Sequence, residues 1–145
     1  MHQYPEKYVS DMEEQLQTGK YEQAIKSYFR FMLRSYQDLA LVKDKSCSEA
    51  TETVKMMKLK PILQQYESHI EKFLNKKFYL ELAKEIKNET EEDKLEDPRW
   101  IYRYGLEKFL DILGQSGNQE KFIDQEKWKE ERLRVIVNTI KQLEK

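Results

Sequence analysis

The stretch YEQAIKSYFRFMLRSYQDLALV, Tyr21 to Val42, decides how the rest of the chain is read. Laid out at about 100° per residue, Ala24, Ile25, Tyr28, Phe29, Phe31, Met32, Leu33, Tyr36, Leu39 and Ala40 cover half of a helix. Lys26, Arg30, Arg34 and Gln37 fall on the other half. The spacing predicts an amphipathic helix with its cations in water.

Working outward, Tyr8, Val9, Met12 and Leu16 repeat at helical spacing and run into Gly19, which predicts a short preceding helix with a glycine C-cap. The junction TGKYEQAIKSYFRFM resembles that of a tetratricopeptide repeat, where a Gly, an aromatic and an Ala let two antiparallel helices approach closely. Nothing comparable recurs one repeat, about 34 residues, later, so the pair reads as a single helical hairpin and not as a solenoid.

Downstream, Ser46 and Glu49 have the form of a capping box. From there Val54, Met57, Ile62, Leu63, Tyr66, Ile70, Phe73, Leu74, Phe78, Leu82 and Ile86 keep to one stripe, which predicts a long central helix from Ser48 to Asn88. Pro61 interrupts the stripe. Either the helix bends there, or a break falls near Leu59 and Pro61 stands in a first turn. The acidic run over about 88–96 reads as a mobile linker within the domain. Asp97 and Pro98 then open a helix that Gly114 stops, and a last helix runs from about Asp124 with Trp128, Leu133, Val135, Ile136, Ile140 and Leu143 on its apolar side. On its far side Lys127, Arg134 and Lys141 recur every seventh residue.

The composition points the same way. Four Gly and three Pro among 145 residues favour long helices over a many-stranded sheet. The expected fold is an all-α, single-domain irregular bundle of five or six helices. Charged residues make up 37% of the chain, yet 26 basic and 27 acidic side chains leave a net charge of -1, so no global field draws it to nucleic acid. Cys47 is the single cysteine, which rules out an internal disulfide, and no run approaches the roughly 18 apolar residues of a membrane helix. The expectation is a cytoplasmic protein with no cofactor, no metal and no membrane partner.

Chemistry-bearing motifs are missing from the sequence. His2 and His69 stand apart from any ligand set, and there is no phosphate-binding glycine loop and no paired E-x-x-H. The chain is therefore expected not to be an enzyme. Its carboxylate clusters read as solvated faces, Cys47 as an inert thiol and His69 as a structural side chain.

Two candidate surfaces remain. In DPRWIYRYG, Trp100 and Tyr104 lie away from the stripe of Tyr102, Leu106, Phe109, Leu110 and Leu113, with Arg99 and Arg103 beside them. A helix apolar on several sides is either the centre of the bundle or partly covered by another chain, and aromatics beside arginines are common anchors of interfaces. These four residues are the candidate partner-binding set of a non-catalytic adaptor subunit, acting in a larger assembly or a homo-oligomer.

The alternative is an RNA-binding subunit of a ribonucleoprotein, with Arg30, Arg34, Lys58, Lys60, Lys76 and Lys77 as the phosphate contacts. KLKPILQQ (58–65) and KKFYLELAKE (76–85) resemble two segments of the small helical subunit of type III CRISPR effector complexes. That resemblance implies a place along an RNA channel. It covers only these segments, and the Thr-Thr-Ser lead-in of the first is replaced here by Val54, Lys55, Met56 and Met57.

Overall fold

The structure is a computed structural model that describes residues 5–42, 59–95, 97, 98 and 122–145. It is an all-α helical bundle. Helix α1 spans Pro5–Gln17 and α2 Tyr21–Leu39. Two short helices follow, α3 Lys60–Gln64 and α4 Glu67–Ile70, with a 3-10 turn at Glu71–Phe73. The longer α5, Lys76–Glu91, a 3-10 turn at Gln125–Lys127 and α6, Trp128–Leu143, complete the described elements.

The α1–α2 hairpin forms as its sequence requires. Gly19 has φ +78°, which few residues other than glycine adopt. Its N–H donates to Leu16 O at 3.3 Å, and Lys20 N–H donates to Gln15 O at 2.8 Å, so the last carbonyls of α1 are satisfied by a Schellman-type turn. Val9, Met12 and Leu16 of α1 are buried with Ala24, Ile25 and Phe31 of α2 in one hydrophobic cluster.

Helix α2 is the axis of the bundle. It packs on α1, α4, α5 and α6, and its buried residues include Ser27, Arg34, Ser35, Gln37 and Asp38 as well as the apolar set. Of the positions that periodicity assigns to water, Arg34 and Gln37 are buried and Arg30 is half-buried, while Lys26 is exposed. The segment after α2 is fixed by Ile123 N–H donating to Leu41 O at 2.9 Å, beside an isolated antiparallel bridge between Val42 and Phe122.

The long helix expected from Ser48 to Asn88 is broken over its described part. Pro61 sits in the first turn of α3 behind the N-cap Leu59, where a missing N–H is harmless. A second interruption comes at Gln65 and Tyr66, with Tyr66 at φ −119° and ψ 17°. The third comes at Leu74 and Asn75, where Asn75 turns extended and caps α5, its Oδ1 accepting from Phe78 N at 2.9 Å. At the far end α5 continues to Glu91, so the acidic run read as linker from about residue 88 begins inside the helix. Thr90 is buried there and its hydroxyl donates to Ile86 O at 2.7 Å.

Candidate interaction surface

Between α2 and the start of α5, where Asn75 caps that helix, lies an open groove of about 370 Å³. Tyr28, Phe29, Met32 and Tyr36 line it from α2, and Leu74, Asn75, Lys76 and Tyr79 from the start of α5. Spacings of three and four residues put the α2 set on one side of that helix. Within the lining Phe29 meets Tyr79 edge to face with centroids 4.9 Å apart, and Phe78, outside the lining, lies 5.9 Å from Phe29. Leu74 stands at the groove 45% exposed, a large apolar side chain left in water. Burial, with a smaller contribution from Tyr28, pushes the Tyr79 phenol up to about 12.

Cations border the aromatics. Lys26 Nζ lies 5.9 Å from the Phe78 ring centre and Lys72 Nζ 5.1 Å from that of Phe73, within cation–π range. Lys76 donates from Nζ to the backbone oxygen of Lys145 at 2.9 Å.

On the opposite side of α2 the cations are consumed by the fold. Arg30 binds Glu89 at 3.1 Å and Glu85 at 2.7 Å, both on α5. Burial opposes its charge, but Glu89, Tyr8 and Glu85 outweigh that and hold its pKa above the ordinary value. Arg34, expected in solvent beside Arg30, is only 1% exposed. Its Nη2 stands 3.7 Å from Asp38 Oδ2, while Asp38 Oδ1 accepts from Arg132 Nε of α6 at 3.0 Å. Gln37 Nε2 donates to Thr90 Oγ1 at 2.9 Å and to Arg132 O at 3.2 Å. The physical reason for the correction is that α5 and α6 pack over this side of α2, where Arg34 keeps the Asp38 carboxylate of its own helix as its ion-pair partner while its Nε and Nη2 make no hydrogen bond among the described residues.

The remaining expected residues divide. Lys60 and Lys77 are exposed on α3 and α5 but do not line the groove, and Lys76 does. Lys58, Arg99, Trp100, Arg103 and Tyr104 lie outside the described residues. His69 is exposed and stacks on Tyr21, with ring centres 4.7 Å apart and planes 8° from parallel. Among the described residues no group of three His, Cys, Asp or Glu side chains can hold a metal, and no helix is long and apolar enough to cross a membrane. Leu74 and Asn75 were not among the expected site residues. Asn75 itself, a preferred N-cap residue type, was the available sign of a helix start there.

Comparison with family models, curated proteins and solved structures finds no match to this chain.

Proposed function

We propose that the chain is a non-catalytic helical interaction subunit that receives apolar side chains of a partner polypeptide in the groove between α2 and α5. The observation that carries this reading is the open groove of Tyr28, Phe29, Met32, Tyr36 and Tyr79 with Leu74 exposed at it. Tyrosine, phenylalanine and methionine are the residue types enriched at interfaces, because they offer large contact area at low cost in side-chain entropy. Two facts weigh against the RNA reading: the Glu85 and Glu89 carboxylates already hold Arg30, and Arg34 is inside the bundle.

The test places a photo-crosslinking benzophenone side chain at Leu74 of the full chain in its native cell, with a second at exposed Lys60 as control. A discrete polypeptide crosslinked from Leu74 and not from Lys60 is the expected result. Crosslinking to RNA from Leu74, or an identical pattern from both positions, contradicts the proposal.

A further inference from the structure

A second cleft, of about 480 Å³, lies between α5 and α6 and shares no lining residue with the aromatic groove. Its apolar lining is aliphatic, half-buried Val137 and the edge of Ile140, a core residue that is 8% exposed, both of α6. Around them stand Lys84, Lys87 and Asn88 from α5 and Lys141 and Glu144 from α6. Spacings of three and four residues put each set on one side of its helix, and packing of α5 on α6 brings the two sides together.

The charges here are poorly matched by the fold itself. Lys87 has an ion pair with Glu91 one turn along its own helix, at 3.4 Å. Among the described residues Lys84 and Lys141 have no ion-pair partner, although they line one cleft from two helices. Like charges so placed repel, and the single lining carboxylate, Glu144, leaves the cleft with a positive excess in a chain whose net charge is -1. Arg134, one heptad before Lys141, is held instead by Glu131 at 2.9 Å.

We infer that the α5–α6 cleft is a docking site for an acidic amphipathic segment of a partner polypeptide, which sets an aliphatic side chain on Val137 and Ile140 and carboxylates on Lys84 and Lys141. Charge complementarity selects the occupant: acidic side chains pair with the lysines that line the cleft, and the aliphatic lining selects for apolar residues between them. Nucleic acid fits less well, because the cleft lining offers no aromatic side chain on which a base can stack.

The experiment titrates the full chain into a fluorescein-labelled synthetic peptide about four helical turns long, with Leu at every third or fourth position and Glu between them. A scrambled peptide of the same composition, and a single-stranded oligothymidylate, are the comparison probes. The expected result is binding by the amphipathic peptide that weakens as salt rises and falls at least about tenfold in the Lys84→Glu, Lys141→Glu variant. Both lysines are exposed, so the fold is retained, which circular dichroism checks. The neutral Lys84→Gln, Lys141→Gln variant should fall between the two. No binding by the amphipathic peptide overturns the inference. So does equal affinity for the scrambled peptide, unchanged affinity in the charge-reversed variant, or tighter binding of the oligonucleotide that those lysines control. Leu74→Asp leaves this binding intact, which separates the cleft from the aromatic groove.

Discussion

Helix α2 carries two contrasting sides. Toward α5 and α6 it presents Arg30, Arg34, Gln37 and Asp38, polar groups that the fold largely encloses and pairs in part. Toward the start of α5 it presents Tyr28, Phe29, Met32 and Tyr36, apolar groups that border an open groove. Hydrophobicity alone would reverse the two roles. On the polar side Asp38 pairs with Arg34 and Arg132, and Thr90 accepts from Gln37, which offsets part of the cost of burial; among the described residues Arg34 Nε and Nη2, Ser35 Oγ and Gln37 Oε1 make no hydrogen bond. The aromatic side borders the groove at the point where Asn75 caps α5 and Leu74 stands exposed. Charges paired inside the bundle mark structure here, and the apolar surface left in water at Leu74 marks interaction.

The largest effect is expected at Asp38. Asp38→Ala leaves Arg34 and Arg132 facing each other without the carboxylate between them, and should lower unfolding stability by about 3 to 5 kcal/mol in urea titrations. If the network serves only to satisfy itself, replacing Arg34, Asp38 and Arg132 together with Met, Leu and Met should recover at least about half of that loss, since well-packed apolar residues often match a buried ionic set. A triple variant less stable than Asp38→Ala would break the comparison, because the charges would then contribute more than mutual satisfaction.

Alkaline pH probes the aromatic side. The Tyr79 phenol is pushed up to about 12 in the folded chain, so above the ordinary tyrosine pKa of about 10 the unfolded chain releases a proton that the folded chain keeps. Stability is therefore full below about pH 10 and falls as pH rises toward about 12, by about 2 to 3 kcal/mol in all. Urea midpoints measured at several pH values should show that decline, and Tyr79→Phe should flatten it. An unchanged slope in the variant would mean that Tyr79 is not the group responsible.

Some of this was legible in the sequence. The stripe of α2, the glycine at the end of α1 and the apolar side of α6 follow from local periodicity and turn chemistry, which neighbouring residues determine. The three interruptions in the stripe from Leu59 to Ile86 were only partly legible: Pro61 signals itself, whereas the cap at Asn75 competes with a hydrophobic pattern that runs straight through it. The burial of Arg34 was not legible, because the groups that cover it belong to helices distant in sequence. Arg132, which shares Asp38 with it, is 94 residues beyond that carboxylate. The groove was hidden for the same reason, since α2 supplies half of its lining and the start of α5 the other half.

Smaller effects sharpen the contrast within the polar side. Arg30 lies one turn before Arg34, but its side chain is 20% exposed and its carboxylate partners more so in the case of Glu85. Arg30→Met should cost about 1 kcal/mol, in the range of partly exposed ion pairs, and high salt should shrink that difference. A loss equal to that of Asp38→Ala would show that burial does not separate the two arginines.

Smallest of all for stability is Leu74→Asp, which changes an exposed side chain and should move the unfolding free energy by no more than about 0.5 kcal/mol. The same substitution bears most directly on the claim that the aromatic groove receives a partner. The measurement is the sedimentation of the full chain within its native assembly, wild type against Leu74→Asp, with thermal melts of both purified chains alongside. The account predicts that Leu74→Asp leaves the melt unchanged and releases the chain from its assembly. An assembly that keeps the variant as firmly as the wild type would contradict it.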